Sequence, residues 1–332
     1  MNVQRGASGG YALLLVLMVL TIMSVVLLST VGAQAQLAPA LQRQLREARE
    51  ARFVQSLAAQ TAFLLMTEPV GPRSINVGGD RAGVANAVMR RGRRSAAREL
   101  RLDGRFYDAW REGGLLVLAA LQDENGLLSL NAGDDRSLSA LLGEAGVAAQ
   151  SAERLSASLG DFIDADELTR LHGAEGDVYR RSGLAPPLNR LLPNRWSARG
   201  ALGWGGGLDL MQRERIWRWT NAARDSAGVN VNTAPVEVLA AVLGDRRRAA
   251  ALVRQREQSG IQGVSETIEG ANAGPGGVVL AGQPGTSFRL IVGFVERGRE
   301  RREYEGQLVL AGAEAERPFY WREARQRPAL QQ

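Results

Sequence analysis

Cysteine is absent from the 332 residues, which removes disulfides and cysteine-ligated metals and leaves the redox compartment open. Lysine is absent too, so the formal net charge of +6 rests on arginine, spread along the chain as a coding preference would spread it. The single histidine, His172, has no cysteine or nucleophilic-serine motif around it and reads as a surface residue. Aromatic residues amount to 5%, too few to suggest the sugar cleft that paired glycosidase carboxylates need. No G-K-[ST] follows the glycine-rich stretch 270–285, so it is not a P-loop. Together these absences leave no catalytic set legible in the chain.

What is present in excess is one apolar run. Tyr11 to Val31 carries no charge over 21 residues and follows the leader MNVQRGASGG, which holds Arg5 and no acidic residue. At about 1.5 Å per residue such a helix crosses the roughly 30 Å hydrocarbon layer, where only a helix or a closed barrel satisfies its own backbone. Arg5 and the terminal amine predict a cytoplasmic N-terminus, with the bulk of the chain beyond the membrane. A cleaved signal peptide is the alternative, with Ala33 and Ala35 as its small-x-small site, but its apolar core would be about 7–15 residues long. Gly10-Tyr11-Ala12-Leu13-Leu14-Leu15, after Ser8-Gly9, resembles the processing site of type IV pilin-like proteins. The resemblance implies that a prepilin peptidase cuts between Gly10 and Tyr11. The glutamate usual at the fifth position after the cut is Leu15 here. A carboxylate inside a bilayer is costly and is kept for a role such as pairing with a neighbouring subunit's terminal amine.

Charged residues at 23% and hydrophobic residues at 45% fit a globular body beyond the run, large enough for one large or two ordinary domains. Leu37, Leu41, Leu45, Phe53, Leu57, Leu64 and Leu65 keep a helical spacing to about Met66, with arginines and glutamates between them. This predicts a half-exposed stem helix, kinked or loosened near Gly32 and Pro39. Leu15, Leu45, Phe53 and Leu57 are its candidate packing residues against neighbouring stems. Residues 67–83 read as a loop. In the run Arg90, Arg91, Arg93, Arg94, Arg98, Arg101 and Arg105 the aromatics Phe106, Tyr107 and Trp110 follow the arginines and do not interleave with them. That favours a solvated face or a protein contact over nucleic acid.

Leu115 to Gln122 and Leu127 to Leu130 read as strands, with Asn125-Gly126 between them as a hairpin turn. Helices are predicted over 137–142 and 148–159. Then comes an acidic segment in which Asp161, Asp164, Asp166 and Glu167 are candidate oxygen ligands for calcium, although their spacing is not that of an EF-hand loop. Helix capping and loop solvation are the plainer reading of the same residues. Asn232-Thr233-Ala234-Pro235 opens a helix that breaks at Gly244-Asp245 and resumes over 246–256, an arrangement like a helix-hairpin-helix. The DNA-binding form of that motif uses a G-x-G hairpin, and here Asp245 follows Gly244 and would repel phosphate. Strands are predicted over 288–296, 303–311 and 319–322.

Four stretches in order, D-E-N-G-L-L-S-L-N (Asp123 to Asn131), D-F-I-D-A-D-E (Asp161 to Glu167), G-A-E-G-D-V-Y (Gly173 to Tyr179) and V-N-V-N-T-A-P-V-E-V-L (Val229 to Leu239), resemble the general secretion pathway protein K family of type II secretion systems. That family is also known for lacking the glutamate replaced by Leu15. The resemblance implies an α+β fold: a pilin-like long N-terminal helix on an antiparallel sheet, with a large inserted all-α domain. The expected divisions are leader 1–10, transmembrane stem 11–31, remaining stem 32–66, pilin-like domain 67–133 and 264–332, and insertion 134–263. The implied role is a non-enzymatic minor pseudopilin at the pseudopilus tip, in the bacterial inner membrane with its bulk periplasmic. Its implied partners are other minor pseudopilins, the prepilin peptidase, the inner-membrane secretion platform and exported substrates, and calcium is the cofactor associated with the family. The alternative is a membrane-anchored helix-hairpin-helix DNA-binding protein of the competence type, supported by the helix pair and the positive charge.

Overall fold

A computed structural model describes residues 9–77, 99–132, 134–223, 228–261, 278–296, 301–311 and 315–327. The leader residues 1–8, the arginines from Arg90 to Arg98 and most of the glycine-rich stretch lie outside them. The chain forms two units, Met1–Ser56 and Leu57–Gln332.

The first unit is the long part of helix α1, Gly9–Thr67. The helix passes through Gly32 and Pro39 without a break, where loosening is expected from the sequence. Proline has a helix-compatible φ, so its cost is one missing hydrogen bond and a local clash, set against a long run of good helix formers on either side. The large apolar side chains from Leu13 to Leu27 are exposed in the isolated chain. Among the described residues no helix is long and apolar enough to cross a membrane. Helix α1 ends at Thr67 because Glu68 precedes Pro69, whose ring disfavours helical backbone at the residue before it.

In the second unit, β1 (Ser74–Asn76) pairs with β2 (Glu99–Arg101), and β3 (Asp103–Glu112) turns into β4 (Leu115–Asp123). The turn residues Gly113 and Gly114 have φ of 58° and 86°, the positive pair that a tight hairpin with the right twist requires and that glycine adopts freely. The expected hairpin at Asn125-Gly126 does not form. Those residues make a 3-10 turn over Glu124–Gly126, capped by the Asp123 carboxylate, and β5 (Leu128–Ser129) leaves the sheet. Both edges of β4 are already taken, by β3 and by β9, so Leu127 to Leu130 must find partners elsewhere. Strand β3 is itself unforeseen, its alternation of aromatic and charged residues being masked by the arginine density before it.

Helices α2 (Asp135–Glu144), α3 (Ala149–Ile163) and α4 (Gly176–Arg181) follow, then a 3-10 turn over Arg195–Gly200 and α5 (Leu210–Trp219). Next are β6 (Thr220–Asn221), β7 (Val229–Asn230), α6 (Val236–Leu243) and α7 (Arg246–Ser259). The chain closes with β8 (Leu280–Ala281), β9 (Ser287–Glu296), β10 (Arg302–Leu310) and β11 (Phe319–Arg327). The main sheet is antiparallel in the order β11-β10-β9-β4-β3. Its central strands β4 and β9 pair from Leu115↔Glu296 to Asp123↔Phe288, so residues 124–286 are inserted between two neighbouring strands.

The insertion has its own core, running from Leu128 to Leu280 and centred on Trp204, Trp217, Tyr179 and Leu239. It is not purely helical. The parallel two-residue pairs β5–β6 and β7–β8 stitch its ends together, and Leu128, Leu130 and Leu280, outside 134–263, belong to its core.

Candidate functional site

Where the insertion leaves and rejoins the sheet, a buried carboxylate gathers the chain. Asp123 has no exposed surface and accepts hydrogen bonds from Asn125 N at 3.0 Å, Asn230 Nδ2 at 2.9 Å, Thr233 Oγ1 at 2.8 Å and Gly285 N at 3.1 Å. Burial pushes its pKa up, and these four donors pull it back. Asn232 continues the junction, accepting from Ile261 N at 2.7 Å and donating to the carbonyls of Ile261 and Gly282. Gly126 admits this packing, since a Cβ there would lie 2.6 Å from Thr233 Oγ1. The motifs around Asp123 and Asn230 are thus two halves of one polar junction.

Beside it, Glu124 is almost fully buried and accepts from Arg289 Nε at 3.0 Å, Arg289 Nη2 at 2.8 Å and Gln307 Nε2 at 2.9 Å. Arg289 also donates to the carbonyls of Trp217 at 3.0 Å and Thr220 at 2.8 Å, satisfying the C-terminal end of α5. Arg195 pairs with Glu305 alongside. The sheet and the insertion are therefore joined by buried charges. A lone arginine inside the apolar run of β9 is the sequence signal that could have located this contact.

The helix pair α6–α7 forms as the sequence predicts, with Gly244 at φ 67° ending α6. Asp245 caps α7, accepting from Arg247 N at 2.8 Å and Arg248 N at 3.1 Å, the amides a phosphate would need. Arg256 is buried and donates to the carbonyls of Val231 and Ala234, and Arg246 pairs with Glu144. Arg101 joins Glu257 at 2.9 Å and Asp103 at 3.3 Å, and Arg105 joins Glu257 at 3.3 Å. These arginines serve the chain's own packing, so the DNA-binding alternative has no support.

The acidic segment follows α3. Asp161, on its last turn, has a fully buried side chain and accepts from Arg170 N on both oxygens at 3.3 and 3.2 Å. The Arg170 Nη1 atom lies 3.5 Å from Asp161 and 3.1 Å from Asp164. Asp166 accepts from Leu168 N at 2.8 Å, and Glu167 is exposed. Glu175, absent from the sequence-based ligand set, is 3% exposed and leaves both oxygens without hydrogen-bond partners. Burial first, and then the charges of Asp161, Asp164, Glu167 and Asp166, raise its pKa to about 7. His172 is exposed beside this group. Among the described residues no three metal-binding side chains are gathered at a coordinating position.

Of the four stem residues named from sequence, Leu15 and Leu45 are exposed, at 65% and 62%, Phe53 is half-buried and Leu57 is buried. Gly10 and Tyr11 lie in the first turn of α1.

Two family models described as type II secretion system protein K match residues 114–205 and 229–285, the segments that supply the Asp123 carboxylate and all four of its donors. A chain of the crystal structure of the GspK-GspI-GspJ complex from the enterotoxigenic Escherichia coli type 2 secretion system has a similar fold, with a TM-score of 0.53 and 17% identity over 87% of this chain and 99% of that one. A search of curated proteins found no match. The fold and the matched segments define a minor pseudopilin, a structural subunit of the type II secretion system that acts on its periplasmic side. The chain belongs to the type II secretion system protein K family.

Proposed function

We propose that this pseudopilin works at the tip of the pseudopilus, assembling with other minor pseudopilins to support export across the outer membrane, without catalysis. The observation that carries this is an apolar α1 left uncovered over Leu13 to Leu27, joined to a body whose motif residues are spent on internal packing. Charge-free surface of that extent is not stable in water and needs lipid or protein around it. The sequence supplies 21 such residues from Tyr11, enough to span a bilayer, so the helix anchors the chain in the inner membrane with its N-terminus cytoplasmic. Prepilin peptidase would cut after Gly10, and the inner-membrane platform would then draw the mature chain into the fibre.

The stem face is the docking surface. Leu41 and Leu45, at 57% and 62% exposure, replace Phe53 and Leu57 as its test positions, because an aspartate at buried Leu57 would disturb the chain's own packing. Leu41→Asp with Leu45→Asp should abolish co-purification with minor pseudopilins while the circular dichroism stays that of the parent. Undiminished co-purification would rule out this face.

Calcium is part of the proposal. Asp161, Asp164, Asp166 and Glu167 offer hard oxygens, and both Glu175 oxygens and Asp164 Oδ1 are buried and unpartnered, but no three of these side chains are gathered at a coordinating position, so an ion would need the segment to rearrange around it. A bound ion would neutralise these carboxylates and tie the 164–175 segment to α3.

A further inference from the structure

We propose that the groove between α2 and α3 is a docking site for a basic amphipathic helix of a partner protein. The groove belongs to the second unit, whereas Leu41 and Leu45 of the stem belong to the first, so this goes beyond the reading above and does not rest on it. Three observations point to it.

First, the two helices leave a space between them, an open groove of about 660 Å³. Its α2 wall is Arg136, Ala140 and Gly143, and its α3 wall is Ala149, Glu153 and Ala157, each set on one helix face at steps of three or four residues. The small side chains keep both walls low, and a Cβ at Gly143 would meet nothing within 4 Å. A third helix packs its ridges into a groove of this kind. Second, the groove continues into exposed apolar surface. Leu171 lines one side of it and is 84% exposed, and Leu168, three residues earlier, is 78% exposed. Third, the charge around it is of one sign. Residues 134–177 hold ten carboxylates against three arginines, in a chain whose formal net charge is +6. Asp135 and Glu153 are exposed in the lining, and Asp166 and Glu167 are exposed on the segment that carries Leu171. Arg136 and His172 also line the groove, and Arg136 offsets one of those charges. In the same acidic region Glu175 is 3% exposed with neither oxygen hydrogen-bonded, so the chain's own cations leave the repulsion unrelieved.

The chemistry of the walls selects the occupant. A small molecule needs convergent polar groups to orient it, and here Ser156 Oγ is already spent on the Asp135 carbonyl at 3.1 Å and the Asp135 carboxylate at 3.3 Å. The excess of carboxylates repels nucleic acid and anionic lipid alike. An amphipathic helix meets both features at once, with apolar side chains against Ala140, Gly143, Ala157 and Leu171 and flanking lysines or arginines towards Glu153, Asp166 and Glu167.

The test uses the full chain in zwitterionic lipid nanodiscs with EGTA present. The probe is a fluorescent helical peptide with leucines on one face and lysines on the other, and the control peptide carries glutamates in place of the lysines. Binding is read by anisotropy, with empty nanodiscs as the blank. The wild type should bind the lysine peptide about tenfold more tightly than the glutamate peptide. Gly143→Trp fills the groove from an open position and should abolish binding at an unchanged Tm. Glu153→Lys should weaken binding about fivefold at low salt and much less at high salt, and it serves where Gly143→Trp fails to fold. Equal binding of the two peptides, undiminished binding by both variants, or no binding above empty nanodiscs would overturn the proposal. Binding that appears only with added calcium would make the acidic side a metal site instead. A wild-type dimer in sedimentation that Gly143→Trp dissolves would assign the groove to a second copy of this chain and overturn the partner assignment.

Discussion

At Asp123 one carboxylate joins the end of β4 to residues more than a hundred positions away. Removing it strands four donors at a position with no exposed surface, and stranded buried donors cost more than the bonds were worth. Asp123→Ala should therefore destabilise the second unit by about 3 kcal/mol or more in urea denaturation. A loss below about 1 kcal/mol would mean that the junction is not a keystone. Glu175 makes the opposite kind of contribution. Its folded pKa, about 7, lies above the ordinary 4.5, so between those values the native state keeps a proton that the unfolded chain has released. Metal-free stability should fall as pH rises from about 4.5 to 7 and stay low above it. Glu175→Gln should flatten that slope and stabilise the protein at pH 8, as thermal melts in EGTA across this range would reveal.

The elements show which local signals survive in the folded chain. Glycine ends α6 because Gly244 sits at φ 67°, and nothing lies within 4 Å of a Cβ placed there. Gly244→Ala should therefore cost only the left-handed backbone term, about 1 kcal/mol. Gly306 is a different case, since its Cβ would meet the Trp321 ring at 2.1 Å across the β10–β11 pair. Gly306→Ala should cost distinctly more than Gly244→Ala, and equal midpoints in denaturant would contradict the packing described for β10 and β11. The helix pair and strands β4, β9 and β10 were legible from sequence because each is written in local spacing, whereas the capping role of Asp245 emerged only in the structure. The Asn125-Gly126 turn was misleading. Its local preference for a hairpin lost to the Asp123 cap and to the occupied edges of β4.

For the whole molecule, the proposed anchor gives the most direct check. Mass spectrometry of the mature chain should find a terminus at Tyr11, and Gly10→Val should leave the leader attached and stop secretion. A wild-type terminus after Ala33 or Ala35 would replace the pseudopilin anchor with a cleaved signal peptide. Leu15→Glu should insert less well, by a few kcal/mol at mid-bilayer, without improving secretion.

The sequence by itself determined the apolar stem, the family-like motifs and the strands that flank a helical middle, because hydrophobic periodicity and short ordered motifs are properties of neighbours in the chain. The roles of those motif residues were decided only in three dimensions. Asp123, Asn230 and Thr233 meet across more than a hundred residues, and Arg289 reaches from β9 to Glu124 and the end of α5. Of the arginines that suggested nucleic acid, Arg101 and Arg256 turned inward for the same reason. A charge buried by folding must be paired or hydrogen-bonded where it lies, and which carboxylate or carbonyl lies there is set by the packing of distant segments.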